Sequence, residues 1–418
     1  MQRVCKKAMI LSLYFVMMRA FLFFYLLTFA TTLFAQKKIR TEDLFEQGQE
    51  AHDKGNYTQA LALLNECLKQ DPGFSDAYFL RASTREQLKD LEGALTDYSI
   101  YLEQNPKSPE ALFSRGLVRY QLKKYDQAYE DFTQYLNAPG GATQTIFFNT
   151  KPTATGNNQV MTAQSSIRPL IYNYLGVIDQ KRNNFSKSVA WLDSAIQLVP
   201  KEADYYVNRG LSKQSMKDTT AAMADFQKAL AINPQHTVAL HNIAVFKRQQ
   251  GDKKASADPL EQAIDSDSSM LAPYLERALQ RMEGGYLKGA LDDYNKALEI
   301  EPKDPEIWLG RGVVKERMKD YSGAFSDYTK AIEIKESFVK AWINRANILL
   351  KMERYKDAVE DYTAALIYIP DSAPAYYNRA IAKYKLDKLP EACEDLKKAE
   401  SLGMKADAKL KGKICTAK

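Results

Sequence analysis

Arginine and aspartate recur in this chain at a spacing suited to ion pairing. Arg81, Arg115, Arg209, Arg277, Arg311, Arg345 and Arg379 are each followed, sixteen residues on, by Asp97, Asp131, Asp225, Asp293, Asp327, Asp361 and Asp395. Where the arginine is replaced, so is the aspartate: Gln47 with Leu63, Leu175 with Trp191, Ile243 with Pro259. Joint presence and joint absence within one chain predict contact between the paired positions. The charges could form a ladder that grips a ligand, or each pair could tie one helix to the next. The second is expected, because a lone charge held there would be costly.

Other reactive side chains are sparse. The three histidines, His52, His236 and His241, stand apart from one another in the repeat pattern described below. There is no H-E-x-x-H, no metal-spaced Cys/His set, no phosphate loop and no G-x-S-x-G. Carboxylates are plentiful but follow the chain's periodicity, as a solvated helical surface would. The chain is therefore expected to be non-catalytic, with no cofactor and no metal.

The elements that must carry these residues are helices. From Val339 to Ser372 the chain reads VKAWINRANILLKMERYKDAVEDYTAALIYIPDS. Apolar stripes at helical period run from Lys340 to Met352 and from Lys356 to Ile369, around a polar turn at Glu353-Arg354-Tyr355. Thirty-four residues upstream the same offsets return: Trp342 answers Trp308, Ala346 Gly312, Tyr355 Tyr321, Ala358 Ala324, Tyr362 Tyr328 and Ala365 Ala331. Closing prolines keep the register, Pro72 with Pro106 and Pro200 with Pro234. A period of this length signals a solenoid whose hairpins bury their faces only against neighbours.

With a bulky residue at position 4, small ones at 8 and 20, an aromatic at 24, Ala at 27 and Pro at 32, the pattern resembles the tetratricopeptide repeat family. The resemblance covers nearly all of the chain after residue 40. It implies an all-α, right-handed superhelix of ten hairpins, starting at Thr41, Ser75, Pro109, Pro169, Ala203, Thr237, Leu271, Pro305, Val339 and Ala373. Residues 41–142 hold three repeats and 169–406 seven, with a solvating helix over 407–418. Ser75, Ser108 and Asp304 are expected to cap helix starts, with Pro109 and Pro305 at first helical positions.

Two irregularities interrupt the array. An insertion over 143–168, TQTIFFNTKPTATGNNQVMTAQSSIR, is either a loop or a hairpin with short strands at Thr143–Thr150 and Gln159–Gln164. Its Phe147 and Phe148 make it a candidate partner contact. In the sixth repeat Pro259 falls inside the second helix and Ser256 replaces Ala, which predicts a short or late-starting helix and a softer joint.

The net charge of +6 comes largely from the start of the chain, where Arg3, Lys6, Lys7 and Arg19 have no acidic counterpart before residue 36. The rest carries 54 basic and 52 acidic residues, which removes the electrostatic case for nucleic acid. Residues 1–35 read as a signal peptide, with translation starting at Met17 or Met18 and cleavage after Ala35. The alternative is a membrane anchor over residues 8–35. Export places the protein in the periplasm or cell envelope, where a disulfide between Cys393 and Cys415 is expected. Cys67 at position 27 is expected to be a small buried packing residue.

In the family, first helices line a concave groove. Carried over by position, its residues here are Phe79, Phe113, Leu117 and Tyr120, then Leu279, Met282, Val313 and Asn347, then Tyr377 and Tyr384. Asn208, Asn242, Asn344 and Asn378 recur at position 6 and could bind the backbone of an extended peptide. The aromatic residues could equally pack adjacent first helices. The implied partner is a protein or peptide segment, held on a scaffold of the bacterial envelope. The other reading is an architectural, self-associating component of a membrane complex.

Overall fold

A computed structural model describes residues 40–137, 163–252 and 256–415. Among the described residues there are twenty-one α-helices and no strand, so the chain is all-α. They fall into two compact units, Met1–Arg182 and Asn183–Lys418. The segment over 1–35, most of the 143–168 insertion with Phe147 and Phe148, and residues 416–418 lie outside the described residues. No described helix is long and apolar enough to cross a membrane.

The first unit holds α1 (Thr41–Asp53), α2 (Tyr57–Gln70), α3 (Ser75–Gln87), α4 (Leu91–Gln104), α5 (Pro109–Gln121), α6 (Tyr125–Asn137) and α7 (Ala163–Lys181). The second begins with α8 (Phe185–Leu198), α9 (Ala203–Ser215), α10 (Thr219–Ile232), α11 (Thr237–Gln249) and α12 (Ala257–Ser266). It continues with α13 (Leu271–Glu283), α14 (Leu287–Ile300), α15 (Pro305–Arg317), α16 (Tyr321–Ile334), α17 (Val339–Lys351) and α18 (Tyr355–Tyr368). It closes with α19 (Ala373–Lys385), α20 (Leu389–Ser401) and α21 (Ala408–Cys415). Within each unit consecutive helices pair as hairpins, and each hairpin packs on the next.

The small residues of the repeat are there to admit rings. A Cβ on Gly116 would sit 2.7 Å from the Phe132 ring, and one on Gly312 would sit 2.5 Å from that of Tyr328. The rings themselves are the core: Tyr98, Phe132, Tyr328 and Tyr362 are all buried. Ala at positions 20 and 27 is buried throughout, and Cys67 is buried in the same role. Each hairpin turn is made by a residue with positive φ, Lys89, Lys123, Lys217, Lys319 and Glu353 among them, so the reversal is set by backbone geometry shared across repeats.

Helix starts follow local chemistry. The Ser108 hydroxyl accepts from the Ala111 N–H at 3.3 Å and the Asp304 carboxylate from the Glu306 N–H at 2.9 Å. Pro109 and Pro305 occupy the first helical position. Ser75 is a correction: it is itself the first helical residue after Phe74, and no side chain caps α3.

Of the two readings of the insertion, the hairpin's second strand is corrected at its end, since Ala163 and Gln164 open α7. That helix starts ahead of Pro169, which lies inside it. Its apolar stripe explains the extension: Ile167, Ile171, Leu175 and Ile178 are all buried, so the helical face continues upstream of the proline. In the sixth repeat α12 has 10 residues and starts at Ala257. Pro259 is then its third residue, where a missing N–H has no helical acceptor to lose.

Candidate functional site

The arginine–aspartate register is fully formed. Arg311 shows the pattern. Its Nε and Nη2 donate to Asp327 at 2.9 and 2.7 Å, and its Nη1 reaches back to Asn295 Oδ1 on the preceding repeat at 2.9 Å. The guanidinium lies 4.7 Å from the Trp308 ring, one turn earlier. One side chain thus joins its own first helix α15, its own second helix α16 and the previous second helix α14. The other six arginines make the same forked contact with Asp97, Asp131, Asp225, Asp293, Asp361 and Asp395. Arg81, Arg209, Arg277, Arg345 and Arg379 also reach back, to Asn65, Asp193, Glu261, Thr329 and Thr363.

These contacts set the charges. Burial acts to lower the Arg209 pKa, but the carboxylates of Asp225 and Asp193 outweigh it and hold the guanidinium above its ordinary range. A second cation four residues after the arginine meets six of the seven aspartates: Arg85, Arg119, Lys213, Arg281, Lys315 and Lys383. The ladder is therefore spent inside the array, as ties between helices. The back-reaching partners and the second cations were not anticipated from sequence. Their signal is the polar residue at position 25 of every repeat and the Arg or Lys at position 11 of most.

The candidate groove residues divide. Phe113 is 1% exposed, packed with Phe132 and Tyr135, and Asn242 is 8% exposed with its Nδ2 donating to the Val238 carbonyl at 2.8 Å. Phe113 is corrected to a core residue, because the ring fills its own hairpin. Phe79 is half-buried against Tyr98 and Tyr101, and Tyr120 against Tyr125 and Tyr174, where burial pushes its hydroxyl pKa up. Met282 and Val313 pack against neighbouring cores, and Tyr377 and Tyr384 against the core that includes Ile414. Asn347 accepts from the Tyr362 hydroxyl at 2.5 Å and from Asn378 Nδ2 at 3.1 Å, so these two asparagines join adjacent first helices. Leu117, Asn208, Leu279 and Asn344 are half-buried.

The histidines serve locally. The Ala239 N–H donates to His236 Nδ1 at 3.4 Å, which leaves Nε2 to donate to Asp204 at 2.9 Å and holds the Asp204 carboxyl below the usual range. Burial lowers the pKa of His52 and of His241, against a weaker opposing pull from Asp53 and Glu276 respectively. Among the described residues no group of three or more His, Cys, Asp or Glu could hold a metal ion. Cys393 and Cys415 are joined in a disulfide that fastens α21 to α20.

Two cavities lie within the second unit. A hollow of about 420 Å³ at the start of α9 and α11 is open to solvent, and its polar groups Glu202, Asp204 and His236 are engaged in helix capping or in one another. A more enclosed one of about 200 Å³ lies among α9, α10 and α11.

Tetratricopeptide repeats are matched at residues 45–109 and 90–142, 203–236, 278–319, 305–338 and 339–372, together more than half of the chain. No curated protein matches. Among solved structures, YrrB, described as a TPR protein with an unusual peptide-binding site, is 21% identical over 44% of this chain and 95% of its own, with a TM-score of 0.40. The Cut9-Hcn1 hetero-tetramer of APC/C is 15% identical, covering 90% of each chain with a TM-score of 0.45. PilF of Pseudomonas aeruginosa is 20% identical over 48% of this chain and 88% of its own, with a TM-score of 0.42.

Proposed function

The chain belongs to the tetratricopeptide repeat family, whose members are in general non-catalytic scaffolds for contacts between proteins, and on that premise we propose that it is a protein-binding scaffold of a bacterial cell envelope. A protein or peptide segment is held either along its first helices or through the insertion at 143–168. The observation that carries this reading is the division of work along each first helix. The arginine is committed to holding helices together, while Leu279, Val313 and Asn344 on the same helices stay half-exposed. Export rests on the apolar run from Ala20 to Ala35 behind Arg19. Peptide mass spectrometry of the mature protein tests it, and recovery of Met1 would sink it.

The functional test is cross-linking and partner capture from whole cells, with the full chain and with a version lacking 143–168. A partner lost with the deletion makes the insertion the site; one retained by both makes it the first-helix face. Recovery of no protein but the chain itself overturns the scaffold reading. A self-associating role has one observation in its favour. Ile367 is 75% exposed beside exposed Tyr368 and Ile369, where other repeats carry polar or charged residues such as Glu299 and Glu333. Sedimentation at rising concentration reads it directly.

A further inference from the structure

The smaller cavity, between the fifth and sixth repeats, exists because this joint lacks bulk that a later one has. Its floor is Ala222, Phe226 and Asn242, all buried, and its walls are Met223 and Phe246. Gln214, Lys217, Thr219 and Gln249 form the rim. Three repeats on, the corresponding side chains are Tyr321, Phe325 and Tyr328 in place of Thr219, Met223 and Phe226. There the Tyr328 hydroxyl donates to Glu316 at 2.9 Å, Lys351 donates to the same carboxylate at 2.6 Å, and Lys351 lies over the Tyr321 ring. That joint is filled and cross-braced. Phe226 has no hydroxyl to offer, Thr219 no ring, and the space remains.

We propose that this cavity is the anchor pocket of the scaffold, taking one apolar side chain, leucine- to phenylalanine-sized, from an extended acidic segment of a partner. The inference rests on the scaffold reading above and names where the segment is held. Size supports it: a dry cavity of about 150 Å³ admits benzene, and this one is about 200 Å³. Chemistry supports it as well. Asn242 commits its Nδ2 to the Val238 carbonyl, which leaves Oδ1 as an acceptor for a backbone N–H, and Gln214 and Gln249 offer both donors and acceptors at the rim. Among the described residues lining the cavity Lys217 is the only charged one, so a carboxylate beside the apolar residue is favoured.

The test is a selection of random short peptides on the full chain, with affinities then measured on the full chain and on Thr219→Tyr with Met223→Phe. The double variant rebuilds the filled joint. Selected peptides are expected to share an apolar residue next to an acidic one and to lose about ten- to a hundredfold in affinity on the filled variant, the equivalent of one buried apolar side chain. Lys217→Glu should weaken the same peptides. Thermal melting checks the fold; should the double variant unfold, Met223→Phe alone serves, since the array already accepts Phe325 at that position. Peptides that bind the filled variant equally well overturn the pocket and leave the scaffold reading standing. A selection that yields no peptide also overturns the pocket, and the scaffold reading is then decided by partner capture from cells.

Discussion

Arg345 meets Asp361 without help. Its Nε and Nη2 approach the carboxylate at 2.7 and 2.8 Å, and position 11 of that repeat, where six others place a second cation on the aspartate, is the buried Leu349. Asp327, one repeat earlier, is held by both Arg311 and Lys315. The two joints share a fold and differ in how much positive charge reaches the buried carboxylate.

Arg345→Gln should therefore cost more stability than Arg311→Gln. Removing the sole partner of a buried charge costs about 3–5 kcal/mol, whereas Lys315 still neutralises Asp327 in the second variant. Urea midpoints of the two variants check it. Equal shifts would show that the second cation contributes nothing.

The disulfide should fasten the last helix measurably. A bridge closing a loop of 22 residues is worth about 3 kcal/mol in the chain-entropy model. Reductant is expected to lower the melting temperature, and Cys393→Ser should match the reduced protein and ignore reductant. A melting temperature indifferent to reductant would show that Ile414, buried against Leu396, suffices to hold α21.

Acid should weaken the array through its half-buried imidazoles. Burial lowers the His241 pKa, so the folded state disfavours the proton that the unfolded chain binds near pH 6.5. The stability this contributes is present above about pH 6.5 and is lost as pH falls through the lowered value. His241→Gln should flatten the fall in urea midpoint between about pH 7 and about pH 5, relative to the unaltered chain. An unchanged slope would assign the acid sensitivity to carboxylates.

Hydrogen exchange should find the sixth repeat softer than the ninth. The helix α12 has 10 residues against 14 in α18, and the sixth repeat lacks the arginine staple, with Ile243 and Pro259 in its place. Amides of α12 are expected to exchange faster than those of α18. Equal protection would mean that packing on neighbours, and not the staple, governs opening.

What could be read from sequence was what repeats. The period, the hairpins and the arginine–aspartate pairs recur with one residue type at one offset, so contact and consequence could be stated together. The back-reaching acceptors share an offset but not a type, Asn295 here and Thr329 or Glu261 there, and that variety hid a common role. Phe113 was misplaced because a face assigned by helix position does not say how far a neighbouring ring, here Phe132, closes over it. The cavity was invisible for a related reason: it is an absence of bulk at Thr219 and Met223, and appears only once the filled joint at Tyr321 and Phe325 stands beside it.

The staple also bears on how long such a chain can be. Arg379 reaches Thr363 in the same geometry by which Arg345 reaches Thr329. Excise the ninth repeat and Arg379 inherits Thr329; duplicate it and the copy supplies its own threonine. The joint is thus written in a register that survives gain or loss of whole units, so the gene can lengthen or shorten by recombination while every seam in this part of the array closes with the same bonds.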